Sequence, residues 1–189
     1  REIDGWTPFS IACKTGLKDV VQLLLEYRDQ NIDLNARDND GDTAFMIACS
    51  CGHKDVVQLL LNHSLDRNID LNARNESGGT AFMIASMNGH KYIIQLLLEL
   101  SHTSIDVNAR SVGSGRTALH FACSERHKDV VKLLLVHSKD RNIDLNARDN
   151  TGSTAFMRAC FFGHTDIVQL FLEYYEDRSI EIGPITPNY

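Results

Sequence analysis

The chain has 189 residues, 43% of them apolar, and a formal charge of -6 at neutral pH. Its length sets a prior of one domain, and 25 acidic against 19 basic residues exclude a general nucleic-acid binder, which gathers cations on one face. Apolar runs such as Leu59-Leu60-Leu61 fall far short of the roughly 20 residues that span a bilayer, so this stretch is not expected to engage a membrane.

The first predicted element follows Gly5-Trp6-Thr7-Pro8-Phe9-Ser10-Ile11-Ala12-Cys13. Threonine is a good N-cap, and proline at the first helical position is preset for the helix, so a helix starts at Pro8. The same stretch returns as Gly41-Asp42-Thr43-Ala44-Phe45-Met46-Ile47-Ala48-Cys49 and Gly79-Thr80-Ala81-Phe82-Met83-Ile84-Ala85-Ser86. It returns again as Arg116-Thr117-Ala118-Leu119-His120-Phe121-Ala122-Cys123 and Ser153-Thr154-Ala155-Phe156-Met157-Arg158-Ala159-Cys160. The five threonines are spaced by 36, 37, 37 and 37 residues. Self-similarity at such a period marks a stacked repeat array.

Each copy continues in the same order. The short first helix stops at Gly16, Gly52, Gly89 and Gly163, where glycine takes the left-handed conformation that ends a helix; Arg126 fills that slot once, at a conformational cost. A second helix follows, as in Lys54-Asp55-Val56-Val57-Gln58-Leu59-Leu60-Leu61, with apolar residues at helical spacing and an aspartate in the first turn, where it suits the helix dipole. The small alanines at 48, 85, 122 and 159 allow close helix approach. An extended run such as Ile69-Asp70-Leu71-Asn72-Ala73-Arg74 then enters a turn rich in Asn, Asp, Ser and Gly. The result is helix, turn, helix and a projecting finger.

These residues resemble the ankyrin repeat. Thr7-Pro8-Phe9 and Thr117-Ala118-Leu119-His120 carry its first motif, and Gly52-His53, Gly89-His90 and Gly163-His164 its turn. Leu34-Asn35-Ala36, Leu71-Asn72-Ala73, Val107-Asn108-Ala109 and Leu145-Asn146-Ala147 carry its finger. The resemblance implies an all-α ankyrin-repeat solenoid of five helix-turn-helix units with β-hairpin fingers. The units fall at about 1–33, 34–70, 71–106, 107–144 and 145–178, with an extended tail at 179–189. The copies depart from the family pattern in two ways. Its histidine survives only at His120, and extra residues, as in Asn62-His63-Ser64-Leu65-Asp66-Arg67-Asn68, precede the finger.

Three ladders invite a chemical reading. Cys13, Cys49, Cys123 and Cys160 recur after the repeated alanine; stacked helices lie about 8–10 Å apart, too far for disulfides, so they read as buried thiols of a reducing compartment. His53, His90, His127 and His164 are a repeat apart and cannot converge on one metal ion, so they read as turn-stabilising. Arg37, Arg74, Arg110 and Arg148 could track phosphates, but Asp33, Asp70, Asp106 and Asp144 stand four residues before each, which predicts self-paired fingers. There is no Gly-rich phosphate loop and no hydrolase or zinc-protease motif. No catalytic, cofactor or metal residue is therefore expected.

The family resemblance implies instead a non-catalytic scaffold that binds another protein or peptide on a concave face. Carried over residue by residue, that face comprises Trp6, Lys14, Asp40, Asp42, Ser50, Met87, Asn88, Arg116, Glu125, Ser153, Phe161 and Phe162. Trp6 and the Phe161-Phe162 pair are the expected hot spots, unless the pair covers the end of the array. Two other readings are a regulatory or targeting segment of a larger enzyme or channel and an engineered array. The location implied is cytoplasmic, or nuclear. The implied state is a monomer, with unfinished ends, such as Val20-Val21 and Ile167-Val168, that can stack in concentrated solution and suit a longer protein. Arg158 is the one sign of an ending.

Overall fold

A computed structural model describes residues 5–27, 32–100 and 105–178, with side chains as far as 174. Among the described residues the elements are α1 (Pro8–Thr15), α2 (Lys18–Glu26), α3 (Ala44–Cys51), α4 (Lys54–Asn62), α5 (Ala81–Met87), α6 (Lys91–Glu99), α7 (Ala118–Ser124), α8 (Lys128–Val136), α9 (Ala155–Phe161) and α10 (Thr165–Arg178). The odd-numbered helices pack in succession, α1 on α3 on α5 on α7 on α9, and the even-numbered ones form a parallel succession behind them. This is an all-α repeat solenoid. Its core is one continuous cluster running the length of the stack, from Phe9 and Val21 through Ala85 and Leu97 to Ile167 and Phe171.

Local chemistry explains where each helix starts and stops. Thr7 Oγ1 accepts the Ser10 N–H at 3.1 Å, and Thr43, Thr80 and Thr154 accept the equivalent N–H of Met46, Met83 and Met157. Each satisfies one of the donors that a helix start leaves bare. At the far end, the carbonyl of the repeated alanine takes the N–H that follows the glycine slot: His53 to Ala48, His90 to Ala85, His127 to Ala122 and His164 to Ala159. The chain closes this way only if the slot residue has positive φ, and Gly89 has φ 73°. Arg126 occupies the slot at φ 60°, a conformation that costs a side-chain-bearing residue about 1–2 kcal/mol.

The fingers differ from the expected β-hairpins. Among the described residues they show two isolated bridges, Arg37 with Thr43 and Arg148 with Thr154, and otherwise turns. Each turn is closed at its base by one backbone hydrogen bond, such as Asp38 N–H to the Asp42 carbonyl at 3.0 Å, and by a side-chain acceptor, with no longer strand ladder among the described residues. Asp38 Oδ1 accepts from the Asp42 N–H at 2.8 Å, Asn75 Oδ1 from Gly79 at 2.8 Å, and Asp149 Oδ1 from Ser153 at 3.1 Å. Ser111 Oγ does the same for Arg116, across a turn one residue longer.

The ladders also differ from their sequence reading. The arginines do not pair chiefly with their own aspartates; each guanidinium reaches a backbone carbonyl. Arg37 donates to Gly41 and to Arg74 of the next copy, Arg74 to Arg110 at 2.9 Å, and Arg110 to Arg148. The aspartates instead cap their own turns, as Asp70 does for the Asn72 N–H, and Arg74 meets Asp106 of the following copy at 3.5 Å. Finger asparagines tie neighbours together in the same manner: Asn35 accepts from Asp70 N–H and donates to the Asn68 carbonyl. The histidines likewise link copies rather than stabilising their own turns. His53 donates to the Lys14 carbonyl, His90 to Ser50, His127 to Met87 and His164 to Ser124, all at 2.8–3.1 Å.

The extra residues before the finger have a structural use. Arg67 reaches back to the Leu25 carbonyl, and Arg141 to the Leu100 carbonyl at 2.9 Å. Asn68 and Asn142 turn the chain at φ 51°. Cys13, Cys49 and Cys123 are buried, and burial raises their thiol pKa, that of Cys13 to about 12. Cys160 is exposed, contrary to the expected buried ladder, because no further described helix pair covers α9. The tail at 179–189 lies outside the described residues.

Candidate interaction face

The finger turns and the C-terminal ends of the first helices place five of the twelve candidate residues around one depression. Trp6 and Lys14 come from the first copy, Asp40 and Asp42 from the second copy's finger turn, and Ser50 from α3; together with Asp38 they border a pocket of about 490 Å³. The Lys14 ammonium lies 3.3 Å from the centroid of the Trp6 ring. Asp42 is half-buried and accepts from the Asn75 amide at 2.8 Å. Burial pushes its carboxyl pKa up, and the carboxylates of Asp38 and Asp40 add to the rise.

In the middle of the face the same helix position recurs with different side chains. Met87 and Ser124 share one position and Asn88 and Glu125 the next; Met87, Asn88 and Glu125 are exposed and Ser124 is half-buried. Asn88 is less available than the sequence suggests, because its amide donates to the Ser50 carbonyl at 3.1 Å. Arg116 and Ser153 are drawn into a network of their own. Asp149, with a fully buried side chain, receives the Arg158 guanidinium (Nε at 3.0 Å) and approaches Arg116 at 3.7 Å. Thr151 Oγ1 and the Thr151 and Ser153 N–H groups also donate to it. Burial by itself would raise the Asp149 pKa; these hydrogen bonds and Arg158 outweigh it and hold the carboxyl below the ordinary range. Alongside, His120 accepts from Thr117 at Nδ1 and donates from Nε2 to the Ser153 carbonyl at 3.0 Å.

Nothing in this arrangement prepares a nucleophile, and the described residues hold no group of three metal-ligating side chains. No described helix is long and apolar enough to cross a membrane. The family model for ankyrin repeats (3 copies) matches residues 1–75, 30–111 and 82–182. The chain belongs to the ankyrin-repeat family. No curated protein matches it.

Within the ankyrin array, the last two candidates stand apart at the far end. Phe161 is 80% exposed and meets Phe162 edge to face, with centroids 5.1 Å apart; Phe162 stacks on His164. Phe161 stays largely exposed, while Phe156 packs against Phe171 with ring centroids 5.3 Å apart. Sequence reasoning missed the Asp149–Arg158 pair and took Arg158 as an end marker. The available signal was an arginine in a slot that is otherwise apolar, nine residues after an aspartate at the base of the finger. It also missed Asp38, whose carboxylate both holds the turn and borders the first pocket.

Proposed function

We propose that this ankyrin array is a non-catalytic scaffold that binds another protein on a concave face made by its finger turns and first helices. Ankyrin repeats are generally protein–protein interaction modules. One observation carries the reading to this chain: the residues that repeat are buried or spent on linking copies, whereas those that vary emerge at one recurring position. Lys14, Ser50, Met87, Ser124 and Phe161 occupy that position, seven residues after the capping threonine; Lys14, Met87 and Phe161 are exposed there, and Glu125 is exposed at the position that follows. A rigid frame with varied exposed side chains is how interaction surfaces acquire specificity.

In this reading residues 1–178 form one domain of five units, each pair of helices being one unit, and the chain acts as a monomer in the cytoplasm. Ile11, Leu17 and Leu23 at one end, and Leu172 at the other, supply the surface for end-to-end stacking at high concentration.

The test compares two variants that keep native helical content. One carries Met87→Ala, Glu125→Ala and Phe161→Ala on the proposed face; the other carries Tyr92→Ala, Gln95→Ala and Lys132→Ala on the second helices. A protein captured from lysate by the unmodified chain should be lost by the first variant and kept by the second. Loss with the second variant, or equal retention by both, overturns the reading.

A further inference from the structure

We propose that the Trp6–Asp40 pocket takes an arginine side chain of the bound protein, and that Lys14 is a resident cation which this arginine displaces. The inference deepens the protein-binding reading and rests on it. Three features of the pocket select a cation. Asp38, Asp40 and Asp42 set three carboxylates against the single ammonium of Lys14, so the site keeps a formal excess of two negative charges. Among the described residues none of the three makes an ion pair with a cationic side chain. The Trp6 ring already holds a cation over its face, with Lys14 Nζ at 3.3 Å from the centroid; indole is the best aromatic platform for that contact.

Arginine fits this pairing better than lysine. Its planar guanidinium stacks on an indole and offers a fork of donors to carboxylates, and it sheds water more readily than a compact ammonium. The pocket, about 490 Å³, is far larger than one side chain, so the Lys14 stem can swing aside without leaving it. Lys14 sits at the exposed end of α1, and its side chain is exposed. Asp40 is also exposed, at the tip of the finger turn, with its backbone N–H bonded to Asp38. Neither is tied into the core, so a partner can exchange one and engage the other.

Trp6 is the sole tryptophan, so its fluorescence and its indole N–H resonance report on this pocket alone. The probes are three blocked tripeptides, Ala-Arg-Ala, Ala-Lys-Ala and Ala-Glu-Ala. The arginine peptide should give a saturable shift of both signals at concentrations of about 10 mM or below, and the glutamate peptide none. Asp40→Asn should weaken the arginine response about fivefold, the loss of one charge-assisted contact, whereas Lys14→Ala should strengthen it by removing the competitor. The proposal is overturned by an equal response to lysine, by any saturable response to glutamate, by no response to arginine, or by a loss of binding in Lys14→Ala. If the arginine peptide fails while the Met87, Glu125 and Phe161 substitutions still release the captured protein, the pocket assignment falls and the concave-face reading stands.

Discussion

At the residue scale, the side chain with the greatest energetic leverage is Asp149, a buried carboxylate kept charged within its own copy by Arg158, Thr151 and two backbone N–H groups. Asp149→Ala leaves Arg158 without its partner and those donors without an acceptor, and should cost about 3 kcal/mol in denaturant unfolding. The pH dependence has a definite sign. The folded Asp149 pKa lies below its ordinary 3.8, so its contribution is complete above 3.8 and is lost as the pH falls from there through the lower folded value. Burial also lowers the His120 pKa from 6.5; the unfolded chain then binds the proton more readily, and stability begins to fall as soon as the pH drops below 6.5. His120→Ser, which imitates the Thr7–Ser10 bonds, should flatten the upper stage only. An unchanged profile between pH 6.5 and the aspartate range would contradict this account of His120. The presence of these residues was plain in the sequence, but their pairing was not. Asp149 and Arg158 stand nine positions apart, on different elements, and only the fold brings them together.

At the element scale, the helix-turn-helix grammar was readable because every signal is local. Threonine caps, the glycine slot and the apolar spacing each act within a few residues. The fingers were less legible because a hairpin is defined by pairing across strands, and here that pairing stops at one backbone bond at the base of each turn, backed by a side-chain acceptor. The glycine slot carries more constraint than its φ value alone. A Cβ on Gly89 would stand 2.4 Å from Nδ1 of His127, the side chain that links this copy to the next. Gly89→Ala must therefore bear both the left-handed backbone and a displaced histidine, for a loss of about 2–3 kcal/mol. At Gly163 nothing lies within 4 Å, so Gly163→Ala should show only the backbone part, about 1–2 kcal/mol. Thermal unfolding of the two variants separates the effects, and equal losses would contradict the histidine link.

At the scale of the whole molecule, the five-fold rewriting of one sequence stretch made the solenoid evident, since stability in such arrays is a sum of unit and neighbour terms. Ala85 is fully buried in α5, which packs on both α3 and α7. Ala85→Asp puts an unpaired carboxylate between them, so the array should unfold in two separate transitions; a single transition matching the unmodified chain would contradict the architecture. The binding face was only partly readable, because the repeat pattern marks which positions vary but not which of them the neighbouring copies consume. Asn88, Arg116 and Ser153 vary along the array yet are engaged within it. Protein binding is proposed to fall on the finger turns and first helices. Hydrogen–deuterium exchange of the chain, alone and with the protein it captures, tests this most directly. The account predicts added protection at residues 38–42, at the ends of α3, α5 and α7, and at the Trp6 indole pocket. Protection confined to the exposed faces of α4, α6 and α8 would contradict it.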